Sequence, residues 1–241
     1  GLALFGNRID LSFAASLTRG LASDGDDLLT DDREAAVRLC LGGTGPFHVI
    51  ADNAGTELTL DLALVDFVLT ELAAPVVLHV KVHPTFVSDA TPDDLFSFFG
   101  LLGDRRFEPR STPAVAFVER LRTAAQTGRL EVAPHPFWNG PASLWELPDE
   151  LAARFSTARL VVIKGDANYR RAVNDALWPP ETPFSQVLSY FPAPILALRT
   201  LKSDAIAGLP PGLAAELDRR DPTWRVNGKR GVASLGGAVP R

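Results

Sequence analysis

The sequence predicts an α/β protein: a doubly wound, mostly parallel sheet with helices on both faces. Two observations carry this. From Pro46 onward, short apolar runs alternate with longer segments whose apolar residues recur every three or four positions. The short runs, such as "FHVI" and "LVVI", are apolar almost throughout, as strands covered on both faces must be. Size agrees: 241 residues, 46% of them hydrophobic, can bury a core without covalent staples.

Taken in order, residues 1–45 mix apolar and acidic stretches, and a helix is expected over 31–41. Residues 46–209 carry the regular pattern and are read as the catalytic domain. "PFHVIAD" is a strand and "TELTLDLALVDFVLTELA" a helix. In that helix Leu58, Leu62, Val65, Leu69 and Leu72 form one stripe and Leu60, Leu64 and Phe67 a second, so it is expected to be covered on two sides. "PVVLHVKV" is the next strand. "TPDDLFSFFGLLG" is a helix with Thr91 as N-cap and Asp93 and Asp94 in its first turn.

"TPAVAFVERLRTAAQTG" is a helix, "RLEVAP" a strand, and "PASLWELPDELAARFSTA" helical with a proline break. "RLVVIKGD" is a strand running into the short helix "ANYRRAVND". "FSQVLSYF" is helical, "APILALRT" a strand, and "SDAIAGL" the start of one more helix. Residues 210–241, rich in Pro and Gly and without periodicity, are expected to form a tail that packs on the domain or extends from it.

Composition excludes several classes. A net charge of −5 argues against nucleic acid as a partner. One cysteine, Cys40, leaves no internal disulfide and no Cys-cluster metal site, and is expected to be a buried apolar residue. No apolar run approaches about 18 residues and no secretory leader is visible, so a cytoplasmic protein without membrane contact is expected. The chain holds no Met, even at position 1, which suggests a fragment. Only four of its 24 basic residues are lysines (Lys81, Lys164, Lys202 and Lys229), so each lysine is informative.

Parallel sheets bind ligands beyond the carboxyl ends of their strands. "FHVIA" is followed by Asp52 and Asn53, "VVLHVKV" by "HPTFVSD" with Asp89, "RLVVI" by "KGDANYR", and "PILAL" by "RTLK". All four polar clusters are expected on one edge. Asp52, Asn53 and Asp89 offer only oxygen, which suits a hard or borderline divalent cation. Such a cation would neutralise a carboxylate that burial otherwise penalises. Read alone, Asp52-Asn53 is a helix cap; the second aspartate at a second strand end turns the reading toward metal. The "KGDAN" turn offers Lys164, a glycine and helix-opening amides for an anion, and Lys202 offers a compact charge for phosphate. The alternative for "KGDAN" is an ordinary strand-to-helix turn. His79, His83 and His135 read as structural first, and no dinucleotide, hydrolase-elbow or zinc-protease motif is present.

The elements "LFGNRIDLS", "DNAGTEL", "FVSD", "HPFW", "KGDANYR", "FPAP" and "RTLK", in this order, resemble the damage-control phosphatase family, and the last resembles its third subfamily. The resemblance runs from about Leu4 to Arg230. It implies hydrolysis of small phosphorylated metabolites such as fructose phosphates, with a divalent cation: Mn2+ first, or Co2+, Ni2+ or Mg2+. It puts the metal on Asp52, Asn53 and Asp89, and the phosphosugar on Asp52, Asn53, Lys164, Asp166, Ala167, Asn168, Tyr169, Arg170 and Lys202. Asp52, Asn53, Glu57 and Asp89 make the catalytic set. Glu57 either orients the sugar or acts as base, or is simply a first-turn glutamate favoured by the helix dipole. The family carries a helical region ahead of its "GN-x-x-DLS" segment, so residues 1–45 are expected to be the remnant of one. Phe5, Thr85 and Ala167 depart from residues common in relatives. Two other readings stay open: an S-adenosylmethionine-dependent carboxyl methyltransferase, an activity also attributed to the subfamily, and a truncated, non-catalytic binder of phosphosugars.

Overall fold

The computed structural model describes residues 28–100 and 112–238. The "LFGNRIDLS" element and Phe5 lie outside the described residues. A seven-stranded sheet organises the rest: β1 (Leu28–Asp31), β2 (Phe47–Ile50), β3 (Val76–Val80), β4 (Leu130–Pro134), β5 (Leu160–Lys164), β6 (Pro194–Thr200) and β7 (Gly231–Gly237). Their spatial order is β1-β7-β6-β5-β2-β3-β4. Strands β6, β5, β2, β3 and β4 run parallel, and β7 enters antiparallel to β6. Helices are α1 (Arg33–Gly42), α2 (Gly55–Glu71), α3 (Pro92–Gly100), α4 (Thr112–Gln126), α5 (Asp149–Ser156), α6 (Gly165–Ala172), α7 (Phe184–Val187) and α8 (Leu213–Arg220).

Period-two alternation sends each central strand into two cores. Phe47, Val49, Leu160, Val162, Leu196 and Leu198 pack under α1–α4. Ile50, Val161, Ile163, Ile195 and Ala197 pack under α5–α8 with Phe155 and Tyr169. This is the doubly wound, three-layer arrangement expected from strands apolar on both faces. Cys40 is buried in the first core, where burial pushes its thiol up to about 11.

Three expectations need correction. The second stripe of α2 is not covered: Leu60 and Leu64 are half-buried and Phe67 is exposed, while Asp61 on the same helix is fully buried. "SDAIAGL" is not helical. Its Ala205, Ile206 and Ala207 are buried in irregular chain, with side chains serving its backbone: Arg199 donates to the Ala205 carbonyl and the Ala207 amide donates to the Tyr169 hydroxyl at 3.0 Å. The expected aperiodic tail supplies α8 and the interior strand β7. Glycines at 231, 236 and 237 hide that strand, because glycine ordinarily weakens one.

On β2 and β3, His48 and His79 share a hydrogen bond of 2.9 Å between Nδ1 and Nε2, sealed among Phe155 and Trp138. His83, expected on the same strand, lies beyond β3 and is exposed. Burial holds His48 down to about 4 and His79 well below its ordinary value. The unfolded chain therefore takes up protons first, and the pair costs stability as pH falls from 6.5 toward about 4. In denaturant titrations, His48→Phe is expected to flatten this acid slope by about 1.4 kcal/mol per pH unit. An unchanged slope would contradict a neutral buried pair.

Candidate active site

The sheet order reverses between β2 and β5: one winds outward through β3 and β4, the other through β6. A crevice outside their carboxyl ends is where such sheets take ligands. Asp52 follows β2 and Lys164 ends β5, so both stand at this point.

The turn after β2 and the loop after β3 are laced together. The Ala90 amide donates to the Asp52 carbonyl at 3.0 Å and the Ala54 amide to the Ser88 carbonyl at 2.7 Å. Asn53 and Asp89 form an isolated antiparallel bridge. Asp89 Oδ2 accepts the amides of Thr85 and Phe86 at 2.8 and 2.7 Å, and its Oδ1 pairs with the Lys81 ammonium. Asn53 Nδ2 donates to Glu57 Oε2 at 2.9 Å and to Asp52 Oδ2 at 3.3 Å, while its Oδ1 accepts the Ser88 hydroxyl at 2.9 Å.

Beneath this rim Lys164 is buried, 2.8 Å from Asp61 Oδ1 and 3.9 Å from Glu57 Oε1. Asn168 Nδ2 donates to the carbonyls of Ala51 and Lys164, at 3.1 and 2.9 Å, stitching the ends of β2 and β5. Gly165, at φ +83°, lies against the Asp52 carboxylate, where a Cβ would stand 1.8 Å from Oδ2. Only glycine fits there.

Asp166 binds the exit of β6. It accepts from Arg199 Nε at 2.7 Å, from the Lys202 amide at 3.2 Å and from the Ser203 hydroxyl at 3.1 Å. Arg199 is fully buried, with its guanidinium 4.2 Å from the Tyr169 ring centroid. Lys202 itself is exposed, close enough for its charge to act on Asp52.

Burial, reinforced by the Glu57 charge, pushes the Asp52 carboxyl up to about 7 against the pull of Lys81, Lys164 and Lys202. Burial also pushes Asp61 up to about 6 despite Lys164. For Lys164 burial opposes the charge, yet Asp61, Glu57 and Asp52 outweigh it and raise its pKa. Four buried carboxylates, Asp52, Glu57, Asp61 and Asp89, thus face two buried ammoniums, Lys81 and Lys164. With all four ionised the excess is two negative charges, the charge of one divalent cation; the raised Asp52 and Asp61 carboxyls mean that without a cation protons carry part of it. Among the described residues no three His, Cys, Asp or Glu side chains form a ready-made metal cluster. The candidate donors include an amide, and Asp89 is already engaged by Lys81.

A family model for the damage-control phosphatase ARMT1-like domain matches residues 1–217. The chain belongs to this family. Damage-control phosphatase ARMT1 of Mus musculus is 36% identical over 196 residues, covering 79% of this ARMT1-like chain and 44% of the mouse protein. The Xenopus laevis protein of that name is 31% identical over 260 residues, covering 99% of the chain and 58% of its own length. The chain thus spans about half the length of these relatives. A crystal structure of a DUF89 family protein from Pyrococcus horikoshii superposes with a TM-score of 0.53 at 17% identity, over 97% of this chain and 63% of the other, and shows the shared fold.

In this ARMT1-like chain Asp52, Asn53, Glu57 and Asp89 come together, with Lys202 on the same rim. Other expected substrate contacts have different partners. The Lys164 ammonium is buried against Asp61, and the Asn168 amide joins two strand ends. The Tyr169 ring lies under Arg199, Arg170 turns out to pair with Asp175 at 2.6 Å, and Ala167 is exposed. His135 accepts the Phe137 amide at 3.1 Å and caps a short turn. Sequence reasoning passed over Lys81, Asp61, Ser88 and Arg199. The scarcity of lysine points to Lys81, one residue past β3, and "FVSD" and "RTLK" contain Ser88 and Arg199 without giving them a role; nothing in the sequence marks Asp61.

Proposed function

We propose that this chain hydrolyses phosphate monoesters of small metabolites, fructose 1-phosphate-like sugar phosphates among them, with a divalent cation. The carrying observation is the surplus of buried carboxyls over buried ammoniums at the switch point, with the Lys202 charge acting on Asp52. The names of the curated relatives support phosphatase chemistry. Asp52, Asn53 and Asp89 would hold the cation, with Mn2+ the first choice and Co2+, Ni2+ or Mg2+ as alternatives. When bound, it supplies positive charge to a phosphoryl oxygen.

The chain's own residues do the rest. Lys202 and the amides that open α6 take further phosphoryl oxygens. Glu57 and Asp52 fix the Asn53 amide so that its Oδ1 faces Ser88 and the rim. Lys164 keeps Glu57 and Asp61 from repelling each other below. Asp166, anchored by Arg199, sets where Lys202 starts.

The test is release of inorganic phosphate from fructose 1-phosphate with Mn2+. No release above an Asp52→Asn blank overturns the proposal. Lys202→Ala is expected to lower kcat/KM by about 10- to 100-fold, the worth of one charge-assisted hydrogen bond. The loss should fall mainly on KM, because Lys202 binds the group rather than attacking it; an unchanged KM would remove Lys202 from the site.

A further inference from the structure

In the phosphatase reading Lys81 enters only as a balancing charge. It follows β3, its amide donates to the Ala90 carbonyl at 3.1 Å, and its side chain is buried. Its ammonium pairs with Asp89 Oδ1 and lies 5.8 Å from the Phe86 ring centroid. The other Asp89 oxygen is committed to the amides of Thr85 and Phe86. Oδ1 is therefore the oxygen of Asp89 best placed to serve a cation, and an ammonium already holds it. Two cations on one buried oxygen repel each other strongly, because little water separates them. A buried carboxylate left without any cation is costly.

We infer that Lys81 is a built-in competitor for the divalent cation: its ammonium neutralises Asp89 until a metal ion takes over that oxygen, and it thereby sets the metal affinity of the site. This rests on the metal-dependent reading above. Lys164 is the internal contrast, because its partner Asp61 is not among the candidate donors and its pairing need not change.

The experiment is calorimetric titration of the whole chain with Mn2+, without substrate. Lys81→Met keeps the stem and removes the charge, and is expected to bind Mn2+ at least tenfold more tightly than the unaltered chain. In an Asp89→Asn background the same change is expected to give no gain. A second measurement needs no variant. Reductive methylation read by peptide mass spectrometry is expected to label Lys81 several-fold faster with Mn2+ than without, while Lys164 stays constant. Equal or weaker binding by Lys81→Met, or Lys81 labelling that Mn2+ leaves unchanged or slows, overturns the inference and leaves the phosphatase reading standing. If neither chain binds Mn2+, the metal-dependent reading fails and the inference with it. Tighter binding by Lys81→Met in a chain that releases no phosphate upholds the inference and sinks the phosphatase reading alone.

Discussion

Asp52→Asn is expected to cut phosphate release by at least about 100-fold and to abolish Mn2+ binding. Asp52 sits at the switch point, shares Asn53 with Glu57, and carries a carboxyl that burial raises to about 7. The same shift gives a second readout. An Asp whose folded pKa lies above its unfolded value of 3.8 favours the protonated fold, so its ionisation costs stability as pH rises from 3.8 toward about 7. The isosteric amide escapes that cost. With chelator present at pH 8, Asp52→Asn is therefore expected to be more stable than the unaltered chain, on the order of 2 kcal/mol by denaturant midpoint. A variant that loses activity and stability together would instead make Asp52 a structural cap of α2.

Gly165→Ala is the second large effect. The residue combines φ +83° with a Cβ position 1.8 Å from Asp52 Oδ2 and 2.8 Å from Asp52 Cβ. Left-handed strain and overpacking each cost about 1–3 kcal/mol, so a loss of roughly 2–6 kcal/mol is expected. Relief can come only by pushing back Asp52 or by opening the stitch that Asn168 makes between β2 and β5. Activity measured well below the unfolding temperature should fall with it, because the displaced group is the carboxylate itself. Gly55→Ala is the control: φ is +69° there too, but a Cβ meets nothing within 4 Å. It should show the backbone strain with little loss of turnover. Equal losses of activity at the two positions would contradict the close approach at Gly165.

Much of this was legible because it depends on local pattern. The doubly wound sheet follows from strands apolar on both faces, and the rim follows from the polar clusters at and after the strand ends. Asp52, Asn53 and Asp89 were expected together because a parallel sheet puts all those ends on one edge, and they do lie together. The miss at β7 has a different origin. A glycine-rich strand has no propensity of its own and is held by its neighbours, with Gly231 to Gly237 paired residue by residue against β6. Likewise the residues of "KGDANYR" read as a phosphate cradle, but which side chains face the opening depends on partners far away in sequence. Asp61 claims Lys164 and Arg199 claims Asp166. No spacing rule announces a buried pair between two elements.

Among the described residues, β7 is both the last strand in chain order and the one that joins β1 to the sheet. β1 touches the sheet through β7 alone, and the Leu201 amide that opens the Lys202 loop donates to the Arg230 carbonyl at 2.9 Å, just ahead of β7. Until β7 is in place, β1 has no strand partner, and the lysine loop has its Asp166 contacts but lacks the Leu201–Arg230 hydrogen bond. The Lys202 side of the rim therefore completes after the Asp52 side, and removal of β7 is expected to leave β1 unpaired while the β2–β5 crevice keeps its own contacts.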